Sequence, residues 1–180
     1  TGGNDTIISS DGADTIVGGA GDDTITSGGG ADSVDGGTGA DTITGGGGAD
    51  TLIGNDGNDS IVGGGAADSI TGGAGADSIT AGTGADTIVG GAGADVITLS
   101  ADSAIDVVMF NTTQTLNGTD TITGFEDSST GDKISFNIGS DAAGGISATT
   151  SLRGTGDTFQ SVTGTAALDA DVGLLVYAAD

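Results

Sequence analysis

The stretch Gly18-Gly19-Ala20-Gly21-Asp22-Asp23-Thr24-Ile25-Thr26 (GGAGDDTIT) recurs as Gly36–Thr44 (GGTGADTIT) and as Gly72–Thr80 (GGAGADSIT). Working outward from it, an aspartate stands at every ninth position: Asp5, Asp14, Asp23, Asp32, Asp41, Asp50, Asp59, Asp68, Asp77, Asp86 and Asp95. Two residues after each comes a branched aliphatic: Ile7, Ile16, Ile25, Val34, Ile43, Leu52, Ile61, Ile70, Ile79, Ile88 and Ile97. Glycine, or once Ala66, stands two residues before each. A glycine-rich linker has no reason to hold such a register. Copies kept in step from residue 1 to 98 without an insertion or deletion stack on one another.

Each copy divides into a six-residue glycine turn ending in aspartate and three residues, such as Thr24-Ile25-Thr26, that alternate polar, apolar, polar. The three residues predict a short strand with one inward side chain, and the glycines supply the positive φ of a tight turn. Two copies make one coil of 18 residues, with odd copies in one parallel sheet and even copies in the other. The expected fold is therefore all-β: a parallel β-roll, or two-sheet solenoid, with the aliphatic residues meeting between the sheets.

Stacked coils lie about 4.8 Å apart, the ordinary strand spacing, so Asp5 stands under Asp23 and Asp14 under Asp32. Calcium takes oxygen ligands at about 2.3–2.6 Å, and twice that distance matches the coil spacing. One ion fits between two stacked turns, held by a carboxylate from each and by carbonyls the glycines expose. The metal-ligating candidates are the eleven repeat aspartates, and the gaps between neighbours in the two columns number about nine. Without ions the columns repel by about 3.5 kcal/mol per pair at an effective dielectric of 20. A chain with so little apolar surface is expected to be disordered until calcium is added.

The bulk composition agrees. The 180 residues contain 39 Gly, no Pro, Cys or His, and a net charge of −24 with only Lys133 and Arg153 as cations. Nucleic acid and anionic membranes are excluded as partners by charge, cations are favoured, and about nine divalent ions would leave a charge of about −6. No disulfide can hold the fold. No run of 18 apolar residues exists, so direct membrane insertion is not expected. No Sec-type signal is visible, and the chain, opening on Thr1, is taken as a fragment or processed product. Lack of His and Cys removes catalytic triads, zinc hydrolysis and thiol chemistry, and the glycine stretches, such as Gly45–Gly48, lack a phosphate-binding lysine. The chain is not expected to be an enzyme.

The pattern G-G-x-G-x-D-x-U-x, with U a large aliphatic, resembles the RTX family of hemolysin-type calcium-binding nonapeptide repeats throughout residues 1–98. The departures are Ser9-Ser10-Asp11 in the second copy, Gly54-Asn55-Asp56 in the seventh and Ala66 in the eighth. Asp11, Asp22 and Asp56 are candidate extra ligands. The resemblance implies type I secretion, a chain unfolded in the low-calcium cytoplasm, and folding outside the cell.

From about Leu99 the register fails, and all five aromatics, the only Met, and the only Lys, Arg and Glu lie beyond it. Residues 99–180 are expected to form a β-rich flanking or capping region, with strands over 105–110, 120–125, 133–138, 158–162 and 172–178. Its first half resembles the region that follows the roll in RTX proteins, which implies that Asp120 terminates a column of ions. The favoured function is an extracellular structural protein, in a surface layer, filament or adhesin, that packs head-to-tail with copies of itself. The alternatives are a folding and secretion module of a larger secreted enzyme, and ice binding through outward threonines such as Thr15, Thr24, Thr42 and Thr51.

Overall fold

The computed structural model describes residues 2–111, 120–125, 132–137 and 159–160. They form a β-solenoid of about six turns with about 18 residues per turn and no helix. The strands are β1 (Thr6–Ile8), β2 (Thr15–Ala20), β3 (Thr24–Gly29), β4 (Ser33–Thr38), β5 (Thr42–Gly47), β6 (Thr51–Asp56), β7 (Ser60–Gly65), β8 (Ser69–Ala74), β9 (Ser78–Thr83), β10 (Thr87–Ala92), β11 (Val96–Thr98), β12 (Val107–Asn111), β13 (Thr121–Thr123), β14 (Lys133–Asn137) and β15 (Phe159–Gln160). Odd strands make one sheet, in the order β1-β3-β5-β7-β9-β11-β13-β15, and even strands the other, β14-β12-β10-β8-β6-β4-β2.

Register follows the 18-residue coil: Thr24, Ile25 and Thr26 pair in parallel with Thr42, Ile43 and Thr44. A side chain that points inward in one coil therefore lies directly over its equivalent in the next. Ile25, Val34, Ile43, Leu52, Ile61, Ile70, Ile79, Ile88 and Ile97 form the buried spine between the sheets, while Ile7 in the first coil is only partly buried.

Most strands are longer than the three residues read from the sequence. They run six residues, through the first glycines of the turn, and Gly28 and Gly29 pair with Gly46 and Gly47. The missing side chains explain this extension. Gly46 adopts φ +113, and the place its Cβ would occupy is filled by the carbonyl oxygen of Gly28 below, so glycine lets the coils close to strand distance there, although Asn55 holds the equivalent position of another turn at φ +76 and still pairs with Gly37 and Gly73. Ala66 departs from the pattern at a comparable turn position with φ +79, a conformation that costs a non-glycine residue about 1–2 kcal/mol.

The change of composition near Leu99 coincides with no break in either sheet. β12 pairs in parallel with β10, β13 with β11, and β14 with β12. Val108 and Ile122 join the fully buried spine, with Phe110 and Phe125 packed against it. β15 then pairs antiparallel with β13 and ends the parallel order of the odd sheet. The strand expected over 172–178 lies outside the described residues. Thr24 and Thr42 face outward on the odd sheet but Thr15 and Thr51 on the even one, so the threonines named for ice binding do not share a face.

If the coils beyond residue 98 belong to the same cooperative unit, Ile122→Ala should lower stability by about 2–4 kcal/mol, as should Ile61→Ala. Denaturant titration in calcium checks this. A normal midpoint for the repeat region in Ile122→Ala would show that the two parts fold apart.

Candidate metal columns

Alternation from the residue before each strand onward points every second residue inward: the aspartate, the aliphatic two residues on, and the turn-opening residue two beyond that. The repeat aspartates from Asp23 to Asp95 are consequently buried like the spine itself, at 1–3 % exposure. Backbone ties hold them there from both sides. In the coil pair around Asp23, its N–H donates to Asp41 Oδ1 at 2.8 Å and its carbonyl accepts from the Thr42 N–H at 2.8 Å.

The bond from an aspartate N–H to the next coil's Oδ1 joins Asp5, Asp23, Asp41, Asp59, Asp77, Asp95 and Asp120 into an odd column. It joins Asp14, Asp32, Asp50, Asp68, Asp86, Asp106 and Asp132 into an even column. Asp120, separated from the repeats by a longer turn, thus stands at the end of the odd column, its Oδ1 3.0 Å from the Asp95 nitrogen.

Asp106 and Asp132 are column members that the sequence reading did not single out. The signal was present as Asp106-Val107-Val108 and Asp132-Lys133-Ile134, the same aspartate-x-aliphatic triplet, but inserted turn residues move them off the nine-residue spacing. In the first of those longer turns Asp102 replaces a backbone acceptor. Its Oδ2 accepts from the Gly84 N–H at 2.6 Å, where Gly48, at the same turn position two coils below, donates to the Gly65 carbonyl. Asp11, Asp22 and Asp56 lie exposed on the outside of the turns, away from the columns. The Asp22 carboxylate accepts from the Ala40 N–H at 2.9 Å.

In nine of these carboxylates, from Asp23 to Asp95, Oδ1 is held by a backbone N–H and Oδ2 is not bonded. The Oδ2 atoms of Asp23, Asp32, Asp41, Asp50, Asp59, Asp68, Asp77, Asp86 and Asp95 are buried without a hydrogen-bond partner. Buried, unpartnered carboxylate oxygens cost several kcal/mol each unless a proton or cation meets them. A backbone carbonyl faces the same space. The point where a Cβ on Gly45 would sit is 2.6 Å from both Asp50 Oδ2 and the Gly63 carbonyl oxygen, so the two oxygens are close enough to share one calcium shell.

Hard oxygen donors of this kind suit calcium, which would supply the positive charge that the columns lack. Among the described residues no three acidic side chains converge on one point. Each gap between coils offers a pair of aspartates, and backbone carbonyls and water would have to complete the six to eight oxygens of a calcium shell.

Burial sets the electrostatics. It raises Asp41, Asp50, Asp59, Asp86 and Asp95 above the ordinary carboxylate range, and pushes Asp68, Asp77 and Asp120 up to about 6 and Asp106 to about 7. The backbone N–H bonds pull the other way, and neighbouring carboxylates such as Asp59 and Asp95 beside Asp77 add to the rise. Asp102, outside the columns, is held below the ordinary range by its bonds from Ala104 and Gly84.

A raised carboxylate binds more protons folded than unfolded, so its contribution to the metal-free roll is present below pH 3.8 and is lost as pH rises through about 6–7. In chelator, circular dichroism should show β structure increasing as pH falls from 8 to 4, whereas metal-free β content that is insensitive to pH would contradict the burial of these groups. At pH 7.5 Asp59→Asn should weaken calcium-induced folding about tenfold or more, while Asp11→Asn, outside the columns, should leave the titration midpoint unchanged.

The repeat seen in this geometry is the one described as the RTX calcium-binding nonapeptide repeat (4 copies), which matches residues 1–34, 26–61, 35–70 and 62–97. No curated protein matches the chain. Calcium is the ligand of this repeat. With more than half its length matched and the columns in place, the chain belongs to the family of RTX calcium-binding nonapeptide repeat proteins.

Proposed function

We propose that the chain is a secreted structural protein that folds on meeting calcium outside the cell and then packs with copies of itself. The supporting observation is one outer face. In a protein of charge −24, the outward positions on the odd strands carry no charged side chain among the described residues, Asp11 lying beyond β1 in the turn, where it bridges Gly29. They run Thr6 and Ile8, Thr24 and Thr26, Thr42 and Thr44, Ser60 and Val62, Ser78 and Thr80, Val96 and Thr98, and Thr121 and Thr123. The even face, by contrast, bears Asp35 and Lys133. Two copies can approach through the neutral face without opposing their aspartates, and calcium in the columns lowers the repulsion between the rest.

The face is narrow. Seven parallel strands about 4.8 Å apart, with two outward positions each, give on the order of 300 Å², below the roughly 800 Å² per partner of a stable pair. A single contact is weak, and assembly rests on many contacts in an array. Type I secretion, typical of the family, suits a chain kept unfolded until it reaches calcium.

Light scattering and electron microscopy at millimolar calcium test the proposal. The wild type should assemble with rising concentration, and the variant Thr26→Asp/Thr44→Asp/Thr80→Asp should stay monomeric with unchanged circular dichroism. Assembly that survives these substitutions would point instead to head-to-tail contact at the β1 edge. Wild-type monomers at every concentration would contradict the structural role.

A further inference from the structure

The two metal columns differ at the residue that opens each turn. On the odd side it is always glycine: Gly18, Gly36, Gly54, Gly72 and Gly90. In all five the place of a Cβ is taken by the Oδ2 of the aspartate five residues on, and in the first four also by the carbonyl oxygen of the glycine 18 residues on. On the even side only Gly45 and Gly63 share this arrangement; the other turns open with Ser9, Ser27 and Ala81.

Each of these three disturbs the pair of oxygens differently. The Ser9 hydroxyl donates to Asp14 Oδ2, engaging the carboxylate. Ser27, fully buried, donates to the Gly45 carbonyl at 2.8 Å, engaging the backbone oxygen and leaving Asp32 Oδ2 without a partner. Ala81, also fully buried, places a methyl in the equivalent position beside the unpartnered Asp86 Oδ2.

We infer that the roll carries two classes of calcium site: an uninterrupted run along the odd column, and an even column weakened where Ser9, Ser27 and Ala81 put a side chain into the space that the two oxygens take over a glycine. This rests on calcium being the ligand of the columns. The odd run fills first and the even column at higher calcium. The turns of the odd column are further tied at their fifth position, where Asn4, Asp22 and Asn58 accept the N–H of the next coil's equivalent residue. The repeat turns of the even column have only alanine there, at Ala13, Ala31, Ala49, Ala67 and Ala85.

Isothermal titration of the full chain with calcium chloride, followed in parallel by circular dichroism, is the test. The wild type should show two classes. Ser9→Gly/Ser27→Gly/Ala81→Gly should move three ions into the tighter class, a gain of about tenfold in affinity for each. Gly36→Ser/Gly72→Ser should move two ions out of it; because those variants can fail to fold, the glycine substitutions on the even side carry the decision. A single class of sites with the triple variant superposing on the wild type would overturn the inference while leaving calcium binding intact. No calcium uptake by the wild type would overturn the underlying reading instead.

Discussion

Carboxylate stacked on carboxylate at the repeat of a β-sheet is the contact to which everything else in this chain is fitted. Parallel pairing in register puts identical residues over one another, which favours an isoleucine spine and penalises an aspartate one. Here both are built from the same strands, two residues apart, and both are buried. Apolar burial and charge burial cannot be separated by any change of register, because a one-residue slip would turn both sets out together. Neutralising the columns, by cation or by proton, should therefore favour the roll.

The glycines belong to the same arrangement. Those that open the turns leave room for the free carboxylate oxygen and a carbonyl to face one another, and those at positive φ let the coils approach to hydrogen-bonding distance. Replacement at an opening position, as at Ser27, does not break the coil, since Ser27 is accommodated fully buried with its hydroxyl bonded. It alters the oxygen pair instead. Fold and ligand chemistry are thus separable at that position, which is why the two columns can share one architecture and differ in strength.

Much of this was legible in the nine-residue spacing. Aspartate and aliphatic two apart define an inward pair, and the unbroken register defines the coil, so the two-sheet roll and the aspartate positions followed from Asp5 to Asp95. Strand length did not follow, because glycine reads as a turn residue and its pairing across coils, as between Gly28 and Gly46, depends on a neighbour 18 residues away. The continuation through Asp106 and Asp132 was obscured by inserted turn residues, which change the spacing while the Asp-x-aliphatic triplet persists. The direction of the carboxylates from Asp23 to Asp95, with Oδ1 on a backbone N–H and Oδ2 unbonded, belongs to three-dimensional packing and left no mark on the sequence.

Neutralisation of the buried columns should decide whether the chain is compact. Small-angle X-ray scattering at neutral pH, in chelator and then in excess calcium, addresses it most directly. In chelator the radius of gyration should lie near the roughly 45 Å of an unfolded chain of this length, and it should fall by about half or more when calcium is added. A compact particle of the same dimensions in both conditions would contradict it.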